Sequence, residues 1–421
     1  MKVLWFANTP CLASEKIAPE LHLGGWLKSL EEKLVENIAI ELCVCFYWNI
    51  PLTPFKYKST YYYPVYRNTG KSKIIRHIRK YFPLNNDKKE IPLLIEVINL
   101  VKPDIIHIHG IEDNFGLVQE YTKIPCLISI QGLLSPLSEK YYAGIPKSIV
   151  KKHESLYSRL KYVPIFINYR DILKRALRER KILDNSLHII GRTEWDKRIT
   201  RILAPKSKYY LGNEMMRPIF YEKKWEKKNY SDVVNILTIM GWELYKGLET
   251  VVQTANSLKN FKTINFKWTI VGLDENKPVA IIVKNWLKIC FVDLNIDLVG
   301  SKNEEELSSL LVNSDIYCQC SHIENSPNSL CEAMLIGMPI IATFAGGTSS
   351  LLTNKLEGIL VQECDPYSLA GAIFELVNDY EYAKFLGGNA RERSIHRHDP
   401  YEIVNRLLDI YNTILSDNDR K

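Results

Sequence analysis

Short apolar runs alternate with longer amphipathic stretches along the whole chain, a pattern that predicts βαβ units stacked around parallel sheets. In the first half, the runs at residues 3–6, 38–47, 105–109, 127–130, 187–190 and 209–211 read as strands, with helical periodicity between them. Residues 212–232, GNEMMRPIFYEKKWEKKNYSD, are polar, lysine-rich and aperiodic, and read as a linker. The alternation restarts with strands at 235–240, 267–271, 297–299, 316–319, 339–343 and 358–361. The expected fold class is α/β, with two Rossmann-like domains facing across a cleft. Residues 1–217 form the first, residues 218–395 the second, and a last helix within 396–421 crosses back to the first. In open α/β sheets ligands bind beyond the carboxyl ends of the strands, so chemistry is sought in the strand-to-helix loops.

Composition narrows the class. The 421 residues are 46% hydrophobic and 24% charged, which argues against a disordered, collagenous or coiled-coil chain. The apolar runs carry Glu41 or Glu96 and fall short of the ~20 clean residues of a membrane span. The opening MKVLWFANTP reads as a first strand rather than a secretory segment. Nine cysteines without a C-x-x-C suggest neither a disulfide framework nor a zinc site, and fit a reducing cytoplasm.

The net charge of +7 hides an asymmetry: residues 1–217 hold 35 Lys and Arg against 21 Asp and Glu, and the remainder 20 against 27. The first half is thus expected to meet something anionic. Lys71, Lys73, Arg76, Arg79 and Lys80 interleave with Ile74, Ile75, Ile78, Tyr81 and Phe82. This is a basic amphipathic helix of the kind found on anionic membrane surfaces, or a solvated helix face. Residues 170–181, RDILKRALRERK, form a second basic stretch with the same two readings. Neither accompanies a nucleic-acid-binding motif, so no nucleic-acid partner is expected.

The most informative stretch is residues 321–347, SHIENSPNSLCEAMLIGMPIIATFAGG. Ser326-Pro327 predicts a helix start with Ser326 as N-cap, and Gly337 its end. Glu324 then precedes the helix, and Glu332 lies in its second turn. The rise from Pro327 to Glu332 is roughly 7–8 Å at ~1.5 Å per residue, about the reach from a diphosphate to the far edge of its ribose. The amides of Asn328 and Ser329 at the positive helix end make an anion site for a nucleotide diphosphate, held without metal. Glu332 reads either as the acceptor of a ribose diol or as a plain helix carboxylate.

Glu324, seven intervening residues, Glu332, the Gly337-Met338-Pro339 strand entry and Gly346-Gly347 together resemble the nucleotide-sugar motif of group 1 glycosyltransferases, the retaining family four of the GT-B fold. LHLGGWLKSL with Gly24-Gly25, DIIHIHG with His107 and His109, GWELYKGLETVV with Lys246, and Asp365-Pro366 agree with the same family. The resemblance extends over nearly the whole chain and is strongest over 235–373. It implies transfer of a glycosyl unit from a nucleotide-diphosphate sugar to an acceptor hydroxyl with retained configuration, and no required metal or other cofactor. It casts Lys246 as the diphosphate cation, Glu324 as the contact to the donor sugar, and His109 as a sugar- or acceptor-side group, these three being the catalytic candidates. Glu332, Asn328, Ser329, Gly24, Gly25, Arg192, Gly346 and Gly347 are the donor-binding candidates. Many relatives carry an Arg where this chain has Trp242; Arg192 is the candidate replacement, or else a structural partner of Glu194 or Asp196. Where relatives have His-Gly, this chain has Gln131-Gly132.

The resulting expectation is a cytoplasmic glycosyltransferase at the inner face of the membrane. It would build a bacterial surface polysaccharide (capsule, O-antigen or exopolysaccharide) on a glycan or polyprenyl-diphosphate-linked acceptor. A nucleotide-sugar 2-epimerase of the same architecture and a non-catalytic nucleotide-sugar-binding protein are the alternatives. A dinucleotide oxidoreductase is disfavoured, because no G-x-G-x-x-G follows the first strand.

Overall fold

A computed structural model describes all residues except 22–24, 69–80, 82–85, 231, 263, 420 and 421. The basic stretch around Arg76 and Gly24 therefore lie outside the described residues. The chain divides into two compact units, Met1–Ser138 with Arg170–Arg217 and His398–Lys421, and Glu139–Tyr169 with Pro218–Arg397. None of the described helices is long and apolar enough to cross a membrane.

The first unit is built on one sheet of β1 (Lys2–Ala7), β2 (Glu41–Trp48), β3 (Phe55–Tyr57), β4 (Thr60–Tyr66), β5 (Ile105–His109), β6 (Cys126–Ser129), β7 (His188–Gly191) and β8 (Lys208–Leu211). Its order is β3-β4-β2-β1-β5-β6-β7-β8, parallel except for the antiparallel β3–β4 hairpin. The near-continuous apolar sequences of β1 and β5 follow from burial on both faces. Helices α1 (Gly25–Leu34), α2 (Asp87–Val101) and α3 (Ile165–Asp184) belong here, the unit boundary passing through α3 at Arg170. The last helix, Pro400–Asp419, lays Ile403, Val404, Leu407, Ile410, Tyr411 and Ile414 into the same core as Leu27, Leu30 and Leu34 of α1. That is one apolar stripe at helical spacing, and it returns the chain's end to the first unit.

The second unit carries β9 (Val234–Ile239), β10 (Phe266–Val271), β11 (Ile296–Leu298), β12 (Ile316–Gln319), β13 (Ile340–Thr343) and β14 (Ile359–Val361), all parallel in the order β11-β10-β9-β12-β13-β14. Helices α4 (Leu248–Phe261), α5 (Asn328–Ile336) and α6 (Pro366–Asn378) follow β9, β12 and β14. Strand order reverses between β9 and β12 here, and between β1 and β5 in the first unit. At such points the crossovers leave on opposite sides and open a crevice at the strands' carboxyl ends.

Three expectations are corrected. Residues 139–169, assigned above to the first domain, pack in the second unit, where Tyr141, Tyr142 and Tyr169 form a ring cluster. The 212–232 stretch is not a plain linker: it contains the helix Pro218–Glu222, and Trp225 donates from its backbone to Ile336 and from its indole to Ser314, at 2.9 and 2.8 Å. Basic residues 170–181 are largely spent within the first unit. Arg175 and Arg178 donate to the Glu112 carbonyl, Arg178 also pairs with Asp87, and Lys181 pairs with Glu120.

Candidate functional site

In the second unit, the loops after β9, β12 and β13 meet at the strand-order reversal. The β9 loop ends in a 3-10 turn, Leu244–Lys246, followed by Gly247 at φ +81°. A Cβ on Gly247 would stand 2.0 Å from the Cys320 carbonyl, so only glycine lets this loop lie against the end of β12. His322 donates its amide to the Tyr245 carbonyl at 2.8 Å, stitching the two loops. Lys246 is thereby delivered to Glu324, with Nζ 2.6 Å from Oε1.

Burial pulls the Lys246 ammonium down, but the Glu324 charge and hydrogen bond, with Glu243 nearby, outweigh it and hold it above its usual value. The same Glu324 oxygen accepts from the Ser321 hydroxyl at 2.8 Å and from Gln319 at 3.4 Å. Gln319 in turn donates to Ser321 and accepts from the buried Tyr317 phenol. Tyr317 reaches the Ser329 side chain at the start of α5, and burial drives its phenol far above the normal range. A connected polar network thus fixes the Glu324 carboxylate beside a fully charged lysine.

Helix α5 begins one residue later than the sequence predicts. Pro327, not Ser326, occupies the N-cap, and no side chain caps the helix. Pro327 at φ −71° and ψ 119° is extended, a conformation that proline favours and the helix interior excludes. Leu330 and Cys331 donate to the Pro327 carbonyl, so the amides of Asn328 and Ser329 stand ahead of the first intrahelical bonds. Glu332 lies in the buried body of α5, 4% exposed, which removes the plain solvated-carboxylate reading.

The third loop closes over the second. Gly346, at φ +56°, packs so tightly that a Cβ would lie 2.0 Å from the Glu324 carbonyl oxygen. The Gly347 amide, expected to reach the donor sugar, instead donates to that Glu324 carbonyl at 2.9 Å. The pair therefore shapes the Glu324 loop. Lys246, Glu324, Asn328, Ser329, Glu332, Gly346 and Gly347 come together in one unit.

His109, Arg192 and Gly25 form a separate group in the first unit, assembled around Trp26. Gly25 opens α1 at φ +48°. The Arg192 guanidinium stacks 4.5 Å above the Trp26 ring, and its Nε lies 3.7 Å from the buried Glu214 carboxylate. Glu194 pairs with Lys197, and Asp196 accepts the Arg192 backbone amide. His109 packs edge-on to Trp5 and Trp26, and among the described residues neither of its ring nitrogens has a hydrogen-bond partner. Burial, with His107 and Arg192 nearby, holds its imidazole neutral, well below the usual value. His107 is a satisfied core histidine, bonded to Tyr411 and Ser129 at 2.6 and 2.7 Å.

The sequence reading missed Gln319, Ser321 and Tyr317, which orient Glu324, and Trp26, which links Arg192 to His109. The alternation of Tyr317, Gln319 and Ser321 at the end of a buried strand was the available signal, since polar side chains repeating every second residue share one face.

Two doubly wound parallel α/β units in one chain are the architecture of the GT-B class. Residues 220–393 match the family described as glycosyl transferases group 1. Among curated relatives, the capsular polysaccharide biosynthesis glycosyltransferase CapM of Staphylococcus aureus is 26% identical over 236 residues, 53% of this chain and 60% of the relative. The N,N'-diacetylbacillosaminyl-diphospho-undecaprenol alpha-1,3-N-acetylgalactosaminyltransferase of Campylobacter jejuni is 22% identical over 327 residues, 76% of this chain and 80% of the relative. Three of the relatives are matched over only 37%, 60% and 52% of their own length, so the chain spans less than two thirds of them. Among solved structures, Anabaena HepE in complex with UDP-glucose shares the fold at TM-score 0.61 and 13% identity, over 99% of this chain and all of that one.

Proposed function

We propose that the chain is a retaining glycosyltransferase that moves a sugar from a nucleotide-diphosphate donor to an acceptor hydroxyl, with no required metal. The observation that carries this is the Lys246–Glu324 pair at the β9/β12 reversal, standing before the uncapped amino end of α5 with Glu332 buried further along the same helix. Breaking an anomeric C–O bond leaves negative charge on the diphosphate and positive charge on the sugar ring. Fixed, partly desolvated groups of opposite sign stabilise both. Lys246 and the Asn328 and Ser329 amides take the diphosphate, Glu332 the ribose diol, and Glu324 the donor sugar. Glu324 is not assigned as a nucleophile, because it already shares its charge with Lys246.

In the first unit, the neutral His109 imidazole suits hydrogen bonding to a sugar or acceptor hydroxyl, and Arg192 is assigned as a donor-binding cation. Gly24 and Gly25 are assigned to donor binding. The acceptor is a lipid-linked glycan of bacterial surface polysaccharide, a reading supported by the names of the CapM and Campylobacter relatives. The basic stretch at Lys71–Lys80 is assigned to the anionic inner face of the cytoplasmic membrane, where the enzyme would work as a peripheral protein.

A thermal-shift panel of UDP-, GDP-, ADP- and dTDP-sugars in EDTA tests the reading. A bound donor raises the melting point of the native state. The expected result is stabilisation by one base class, with glycosyl transfer to a polyprenyl-diphosphate glycan. Turnover of donor alone into its 2-epimer, or no stabilisation by any of the four, contradicts it.

A further inference from the structure

Cys364 lies in the turn between β14 and α6 at φ +59°, a left-handed conformation that costs a residue with a Cβ roughly 1–2 kcal/mol. It is exposed, whereas seven of the other eight cysteines are buried and Cys290 is half-buried. Its Sγ stands 3.3 Å from Nδ1 of His322, and Nε2 of His322 stands 2.5 Å from Oε1 of Glu249 on α4. The imidazole and carboxylate are 0% and 3% exposed. They are sealed by Gly144, where a Cβ would fall 2.0 Å from the Glu249 oxygen.

Burial pulls the His322 imidazole down, but its bonds to Cys364 and Glu249 outweigh this and raise it to about 10, so the ring is cationic at neutral pH. The other charged groups around the turn are Glu363, which pairs with Lys140, and Asp365, which accepts from the first amides of α6. The transfer reaction proposed above uses none of these groups.

We propose that Cys364 is a modification site: a nucleophilic thiol on an exposed residue, placed by His322 and Glu249, that takes low-molecular-weight disulfides and soft electrophiles. With a disulfide RSSR, the Cys364 sulfur bonds to one sulfur as the S–S bond breaks. The departing RS⁻ leaves with the bonding pair and takes up the proton that Cys364 gave up, so one thiol is consumed and one released. The thiolate is the attacking form, and Nδ1 of His322 lies within hydrogen-bond reach of that sulfur. His322 and Glu249 act through the sulfur and are positioning residues. The site lies wholly within the second unit and does not depend on the glycosyltransferase reading.

The test is iodoacetamide alkylation of the full chain at pH 6.5, followed by site-resolved peptide mass spectrometry, with oxidised glutathione as the disulfide probe. Cys364 is expected to react at least about tenfold faster than N-acetylcysteine and than Cys290, and to form the glutathione mixed disulfide. His322→Gln is expected to slow Cys364 by about tenfold while Cys290 is unchanged, and Glu249→Asp to retain more of the rate than Glu249→Ala. A Cys364 rate no higher than that of N-acetylcysteine overturns the proposal, as does an unchanged rate in a folded His322→Gln protein. If that variant labels at all nine cysteines and is therefore unfolded, the native-protein comparison with N-acetylcysteine decides alone.

Discussion

Glu324 and Lys246, 78 positions apart in sequence, are joined at 2.6 Å through loops that leave adjacent strands on either side of the β9/β12 reversal. Both side chains are mostly buried, at 12% and 22% exposure, and the Glu324 carboxylate holds the Lys246 ammonium above its usual value. Lys246→Ala is expected to lower turnover by about 100-fold or more, the scale for removing one electrostatic contact to a transition state. It also leaves Glu324 without its charged donor, a loss of about 1–3 kcal/mol in urea unfolding. Steady-state kinetics and denaturation of the same variant check both.

Glu324→Ala and Glu332→Ala should separate. The first removes the contact to the reacting sugar and is expected to lower kcat by about 10–100-fold with donor KM little changed. The second removes a buried ribose partner and is expected to weaken donor binding by about tenfold or more. Equal and unaltered kinetics in both variants would dissolve the division of roles.

Gly346→Ala should be damaging although no side chain is lost. The position is left-handed and the added Cβ meets the Glu324 carbonyl, so the Glu324 loop must move. The conformational term alone is about 1–2 kcal/mol. The expected result is a lowered Tm together with weakened donor binding. Gly371→Ala, with open space around its Cβ and no positive φ, is the control.

The two units should respond to pH in opposite senses. Burial holds His107 down to about 3 and His109 well below its usual value, so below the ordinary 6.5 the unfolded chain binds more protons than the folded one. Stability of the first unit therefore falls as pH drops below 6.5, by up to about 1.4 kcal/mol per pH unit for each histidine. His322 is raised to about 10, so its contribution is complete below 6.5 and is lost as pH rises from 6.5 to about 10. Urea melts of wild type and His322→Gln between pH 5 and 9 check this, with the difference between them expected to shrink on the alkaline side.

Substituting Arg76, Arg79 and Lys80 with alanine is expected to reduce sedimentation with anionic vesicles, most at low salt. Each basic residue near such a surface contributes about 1 kcal/mol, screened within a Debye length. Unchanged sedimentation would leave that stretch a solvated face.

The strands flanking both crevices were legible because buried parallel strands are apolar throughout. VLWF, IIHIH and IYCQ announce themselves by composition alone. The β3–β4 hairpin was not, because TYYYPVY carries a proline, which ordinarily argues against a strand. Pro64 is tolerated because β3 pairs only with residues 60–62, leaving no partner on that side for the missing N–H. The Glu324-to-Glu332 spacing and Lys246 were visible as local patterns. The Gln319–Ser321 support of Glu324 and the Glu249–His322–Cys364 row were not, since the latter joins the first turn of α4 to the connections after β12 and β14. The excursion of residues 139–169 into the second unit rests on contacts distant in sequence, which no local pattern encodes.

The central claim is that the amino end of α5, with Glu332 behind it and Lys246 before it, holds a nucleotide-diphosphate sugar. Isothermal titration of the stabilising donor in EDTA, into wild type, Glu332→Ala and Lys246→Ala, measures it directly. The account predicts metal-independent binding by wild type, weakened about tenfold or more in each variant. Equal affinity in all three proteins, or binding that requires a divalent cation, would contradict it.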